Sequence, residues 1–227
     1  MSELLTTTLI DHDSPLRSAA EILEQALDQG TFAGSIGNCH TPGVDSLVLE
    51  DNRLVNGGMA RIFVARQGAH RLSSVINSAT GDYTVGVHNH RFPVTIVPLV
   101  GRFINYEVEQ DPDGAEEIHR YSFQSAITGM MGVEHEGIVR VKPPVYNEKD
   151  PGQIIQMSAA ELHTVVVPNI ATKFDMTAWL VLEEPEEGLT NIYSPTNHLQ
   201  VSTQGLYNPY DPAEAHVIVS KLLAAIQ

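Results

Sequence analysis

His88 and His90 stand two residues apart in the run DYTVGVHNHRF. A β-strand sends residues i and i+2 to one face, so on a strand both imidazoles can reach a single metal ion. In that register Asn89 and Arg91 point away, while Thr84, Gly86, Phe92 and Val94 share the metal-facing side. The small Thr84 and Gly86 leave room for a substrate, and Phe92 is placed to line its pocket and exclude water. A histidine-only site accepts iron, zinc, nickel, copper or manganese, so residue types alone do not choose the ion.

Further candidates lie downstream. His119 opens the run HRYSFQSAI and can face inward with Tyr121 and Phe123, either as a donor behind a ligand or as an added ligand. Arg102 and Tyr106 share a strand face after Gly101, with Asn105 between them, and suit a substrate carboxylate and its polar neighbour. The competing reading of Arg102 is a structural ion pair with one of the nearby acids. Glu134, His135 and Glu136 have metal-binding residue types, but Gly129, Gly132 and Gly137 around them mark a solvated hairpin tip. His12, His40, His70, His198 and His216 fall in loops or helices and read as solvated.

The elements that must position these residues are short. Ser14 and Pro15 suit the cap and first position of a helix, and Leu16, Ala20, Leu23 and Leu27 recur at helical spacing until Gly30. Residues 31 to 58 carry many turn-formers and read as loops, with one short strand at Leu47 to Leu49. From Ala60 the chain becomes a series of runs rich in Val, Ile, Phe, Tyr and Thr. They are RIFVAR, DYTVGVHNH, TIVPLVGRFINYEVE, HRYSFQSAI, GIVRVK, QIIQM, LHTVVV and TAWLVLEE, separated by turns such as Asp111-Pro112-Asp113-Gly114. No helical pattern interrupts them, which favours an antiparallel barrel over alternating strands and helices. Asp211, Pro212 and the spacing of Ala215, Val219, Leu222 and Ile226 then predict a closing helix. The expectation is one domain over residues 1 to 227, with a barrel core at about 60 to 185.

A net charge of -15 argues against binding a phosphate backbone, which needs clustered cations. Seven of the nine arginines nevertheless lie between residues 61 and 140, which keeps an anionic small molecule in view. The lone Cys39 cannot form an intrachain disulfide. The run MSELLTTTLIDHDSPL lacks the pattern of a secretory leader, and no stretch approaches the roughly 20 apolar residues of a membrane helix. A cytoplasmic protein bound neither to membrane nor to nucleic acid is expected.

Gly101 follows His90 in the segment PLVGRF, and a third histidine, His163, stands in MSAAELHTVVV. This arrangement resembles the cupin superfamily, whose first motif holds two histidines, a glutamate and a closing glycine, and whose second holds the last histidine. The resemblance covers roughly residues 81 to 185 and implies a mainly β fold, a double-stranded β-helix or jelly-roll barrel. It implies His88, His90 and His163 as metal ligands. Val94 and Thr95 stand where the family's glutamate would be, Ser158-Ala159-Ala160 replaces the Pro-X-Gly of the second motif, and Val167 replaces its asparagine. Glu161 shares strand parity with His163 and is either a fourth ligand or a solvated edge charge.

Three histidines without a carboxylate resemble the thiol dioxygenase branch of cupins. That resemblance implies Fe(II), direct substrate coordination and dioxygen as co-substrate. No 2-oxoglutarate is expected, because the oxygenases that use it carry an acid where this chain has His90. The branch's Ser-X-His-X-Tyr set is missing, since Ala178, Leu180 and Leu182 occupy the corresponding strand. The reading is therefore a non-haem iron oxygenase acting on a small polar or anionic metabolite. The alternatives are a redox-neutral lyase or isomerase using the metal as a Lewis acid, and a non-catalytic binding module. The apolar stripe of the closing helix, with Leu222, Leu223 and Ile226, must either cover the barrel or bury in a second chain, and a symmetric homodimer is expected.

Overall fold

A computed structural model of the chain describes residues 10–30, 32–39, 43–51, 58–66, 87–124, 132–166, 175–185, 189–195, 197 and 207–227. Thr84, Gly86, His40, His70, His198 and Val167 lie outside the described residues. The elements, in chain order, are α1 (Pro15–Gln29), β1 (Ile36–Gly37), β2 (Val44–Asp51), β3 (Met59–Arg66), β4 (Val87–His88), β5 (Val94–Val100), β6 (Phe103–Val108) and β7 (Glu116–Gln124). There follow β8 (Gly132–Val141), β9 (Val145–Lys149), β10 (Ile155–Met157), β11 (Leu162–Val166), β12 (Met176–Glu183), β13 (Asn191–Ser194), β14 (Asn208–Pro209) and α2 (Pro212–Ile226).

The strands form two seven-stranded antiparallel sheets in a jelly-roll-like arrangement, ordered β10-β5-β12-β3-β2-β1-β14 and β8-β7-β13-β4-β11-β6-β9. The expected mainly β fold with a helix near each end is what the chain adopts. Parity divides each strand between two environments. Along β12, Ala178 and Leu180 pack with Ile62, Val64, Val97 and Leu99 against α1 and α2, whereas Trp179 and Val181 pack with Val94, Ile96 and Phe103 between the sheets. Phe103 belongs to the second sheet, so its cluster marks the barrel interior. The Ala178, Leu180 and Leu182 positions thus lie on the helix-facing parity of β12. Its inner positions, Thr177, Trp179, Val181 and Glu183, supply no Ser-His-Tyr set either.

Both helices start as the sequence reading expects, with Pro15 and Pro212 at the first turn. Asp211 accepts a hydrogen bond from the Ala213 amide, while the Ser14 side chain makes no capping bond. Gly30 ends α1 in the left-handed region at φ 63°. Leu222 is buried against the sheet, and Leu223 and Ile226 pack beside it. On α2, therefore, Leu222 is turned to the barrel while Leu223 and Ile226 keep part of their surface open. No helix among the described residues is long and apolar enough to cross a membrane.

Three sequence expectations need correction. The segment read mostly as loop contains β1 and the eight-residue β2, which is buried over six consecutive positions. Asp45 and Ser46 hid that strand by breaking its apolar run. Both are satisfied internally, Asp45 by Arg66 Nη2 at 2.6 Å and the Asn38 amide, and Ser46 by Arg61. The sheets also take in β13 and β14, so strands lie on both sides of residues 60 to 185. Finally, Glu134, His135 and Glu136 belong to β8 rather than to a hairpin tip, because Gly132 and Gly137 sit within the strand.

Candidate metal centre

The short strand β4 lies between β11 and β13, and His88 is the direct cross-strand partner of His163. Opposed residues of an antiparallel pair project side by side from one face, which sets the two rings together. His90 falls just past the strand rather than on it. Its amide donates to the Ala159 carbonyl at 3.2 Å, and the adjacent Asn89 ties the segment to β13. Asn89 Oδ1 accepts from the Asn191 amide at 2.6 Å and Nδ2 donates to the Leu189 carbonyl at 3.1 Å. Asn89 does point away from the histidines, as the alternation predicts, and there serves to fix them.

The three rings form a near-equilateral triangle, with centroids 4.9 Å apart for His88 and His90, 4.8 Å for His88 and His163, and 4.9 Å for His90 and His163. One nitrogen from each lies within 4.8 Å of the other two, and among the described residues this is the group of three or more potential ligands able to hold a metal ion. His90 Nε2 and His163 Nε2 approach to 2.8 Å. Two nitrogens each about 2.1 Å from one ion, at about 90–110° to each other, stand roughly 3.0–3.4 Å apart, so the observed pair is already close to ligand spacing.

His163 is 2 % exposed, and Asn105 on β6 is fully buried beside it. Asn105 Oδ1 lies 2.8 Å from His163 Nδ1. Oxygen can only accept there, provided that Nδ2 keeps its own partner, Glu107 Oε1 at 3.2 Å. Glu107 also accepts from Asn147 Nδ2. The chain of contacts places the proton on His163 Nδ1 and leaves the Nε2 lone pair facing His90. Burial first, then the neighbouring His88 and His90, holds the pKa of His163 well below its ordinary value. A neutral imidazole with a directed lone pair is a metal-ligand state, so the donor set fits a divalent transition-metal ion.

Phe92 stacks on His90 with centroids 5.9 Å apart, and with Val165 it borders the apolar cluster that contains Val94. Phe92 thus lies beside the histidine group. Arg102 and Tyr106 do not. Asn105 faces His163, so Tyr106 projects from the opposite face of β6, where it meets Tyr146 edge-on. Arg102 grips Glu148 through both Nε and Nη2, and Tyr146 donates to the same carboxylate. The structural ion pair is thus the reading the geometry supports for Arg102. Glu161 accepts from the Ser158 amide in the turn before β11 and is not in the histidine group. His119 pairs instead with His135, with Nδ1 and Nε2 3.0 Å apart. His12 and His216 are exposed, as expected.

Sequence reasoning missed Asn105, although one signal was available: it is an amide on the same strand parity as the buried Phe103. It also left unassigned the pair Arg61 and Glu183, whose side chains are 10 % and 6 % exposed and joined at 2.8 Å. Register with Val181 and Val94 places both on the inner face of their sheet. Nothing in the local sequence links residues so far apart.

No protein-family model matches the sequence, and no curated protein does. Among solved structures, an 11S globulin from Wrightia tinctoria described as having an auxin binding site is similar over 66 % of this chain, which spans 31 % of that protein, at 12 % identity and a TM-score of 0.35. An L-ribose isomerase from Cellulomonas parahominis is similar over 93 % of this chain and 95 % of its own, at 11 % identity and a TM-score of 0.35. A cupin-2 domain from Rhodospirillum rubrum is similar over 83 % of this chain and 82 % of its own, at 12 % identity and a TM-score of 0.34. Cupin-type proteins are therefore among the solved structures that this chain resembles.

Proposed function

We propose that this chain is a metal-dependent oxygenase in which His88, His90 and His163 hold one Fe(II) ion and a small polar or anionic metabolite is oxidised. The observation that carries the reading is the convergence of three imidazoles without a carboxylate in the group, among the described residues. Neutral ligands leave a divalent ion its full charge, and when bound such an ion supplies a Lewis-acidic, redox-active centre with positions open to an anionic chelating substrate and to dioxygen.

The protein's own residues do the rest. Asn105 fixes the tautomer and ring orientation of His163, and Asn89 holds the segment bearing His90. Phe92, Val94 and Val165 form an apolar border that excludes water. Arg61 and Glu183, on the inner face of the other sheet, offer charged hydrogen-bonding groups to the interior.

The test is oxygen uptake by the full chain, prepared without a histidine tag and reconstituted with Fe(II), across amino acids, thiols and keto acids. Substrate-dependent uptake by the native protein, lost with the metal in His163→Ala, is the expected result. Undiminished turnover under anaerobic conditions would sink the oxygenase and favour a redox-neutral lyase or isomerase. Full metal occupancy in His163→Ala would sink the site itself.

A further inference from the structure

We propose a second metal site, formed by His119 and His135 on the hairpin strands β7 and β8, that takes a Zn(II)-like divalent transition-metal ion and clips the edge strand β8 to its neighbour. The pair's Nδ1 and Nε2 stand 3.0 Å apart, and the rings are inclined at 44° with centroids 5.2 Å apart. Two nitrogens at about 2.1 Å from one ion, separated by about 90°, would be roughly 3.0 Å apart. The approach thus matches adjacent ligands on one ion as well as a hydrogen bond between neutral rings.

The backbone supplies the second observation. Pairing of β7 with β8 runs His119 with Ile138 and Arg120 with Gly137, then shifts so that Tyr121 opposes His135. Glu136 is the extra residue of this bulge. Without the shift Glu136 would oppose Tyr121, and His135 would fall on the face opposite His119. A bulge re-aims a side chain in this way, and here it brings the second imidazole over the first. The adjacent Gly137 has φ 139°, a conformation that favours glycine. Tyr121 forms the buried floor beneath, its ring 5.1 Å from that of His135. His135 is exposed, so an ion can enter from solvent, and the exposed Glu134 and Glu136 favour a cation nearby.

This site is separate from the first although both occupy one face of one sheet. His163, His88, Ile192, Tyr121 and His135 are successive cross-strand partners over β11, β4, β13, β7 and β8. His88 and His135 are three strand spacings apart, about 14 Å at about 4.8 Å per step, too far for one ion to serve both. Imidazole donors favour zinc, copper and nickel, and two protein ligands leave the remaining positions to water.

Zn(II) alone, titrated calorimetrically into the metal-stripped full chain without a histidine tag, tests the site. His119→Ala and His135→Ala should each bind one equivalent fewer than the native protein, and His163→Ala should keep the equivalent that depends on His135. Zn(II) should also raise the thermal midpoint of His163→Ala but not that of His163→Ala combined with His135→Ala. Because His135 is exposed, its alanine variant should fold, and far-ultraviolet circular dichroism checks this. An unchanged stoichiometry in folded His135→Ala overturns the proposal, whatever the fate of the first site.

Discussion

Asn105→Leu is the most informative single change, because it removes one contact behind a ligand and none of the ligands. The asparagine is fully buried, and its Oδ1 receives the Nδ1 proton of a histidine that is itself 2 % exposed. Leucine fills a similar volume but accepts nothing. In the metal-free protein the imidazole can move its proton to Nε2 and turn it toward His90, which recovers part of the loss. Metal binding needs the Nε2 lone pair, so it must reverse that change and leave an unpaired N–H in the interior, at about 1–3 kcal/mol. Loss of such a supporting contact typically costs about 10–100-fold in metal affinity, or about 1.4–2.8 kcal/mol, which agrees with the desolvation argument. Asn105→Asp keeps the acceptor for Nδ1 but sets a carboxylate against Glu107, so it should recover only part of the affinity lost in Asn105→Leu. The assay is competition for Zn(II) against a chelator at neutral pH, with thermal unfolding of the metal-free variants as the control. A folded Asn105→Leu that binds within twofold of native would refute the reasoning.

The other predictions concern the barrel interior. Val94→Glu should slow metal loss to a chelator, since Val94 is buried in the cluster that borders His90 through Phe92; unchanged retention would mean that position 94 does not reach the ion. Glu183→Leu strands the buried Arg61 and should cost about 3–5 kcal/mol in denaturant unfolding, whereas a loss below about 1 kcal/mol would show that water or another acid compensates the guanidinium. Burial pushes the Cys39 thiol up to about 12 from 9.0, so it should resist a thiol reagent at pH 8 until the chain unfolds. Because the folded pKa is the raised one, this group's stabilising contribution is complete below pH 9.0 and declines as pH rises toward about 12, which unfolding midpoints across that window would register.

The legible parts of the sequence were those in which local pattern and tertiary role agree. Both helices announced themselves through proline at the first turn and an apolar stripe, and the barrel strands through β-branched runs between turns. His88 and His90 were singled out by a spacing of two, although His90 lies just past β4 and is held there by its amide's bond to the Ala159 carbonyl. What escaped depended on partners distant in the chain. β2 was obscured by Asp45 and Ser46, whose polarity is tolerable only because Arg66 and Arg61 arrive from β3. Arg102 and Tyr106 share a face as predicted, but spacing could not say that Asn105, on the other face, was the one turned toward His163. The bulge that turns His135 onto the face of His119 rests on a one-residue shift in pairing, and period-two reasoning has no access to that.

The position of the histidines in the sheets bears on how fold and metal are coupled. In small metal-dependent domains the ion supplies much of the folding free energy, because no adequate core exists without it. Here the largest cluster of buried residues lies on the far side of the other sheet, under α1 and α2, and the interior cluster is closed by Trp179 and Phe103 without any polar ligand. His88 and His163 stand on strands whose pairing is already complete, with β4 bonded on both sides to β11 and β13, and His90 follows directly, its amide bonded to the Ala159 carbonyl. Stripping a bound metal would therefore remove a local attraction among three rings and leave both cores intact. A site of this kind is organised by the fold before the ion arrives, which spends less binding energy on ordering its ligands and keeps coordination positions available for chemistry.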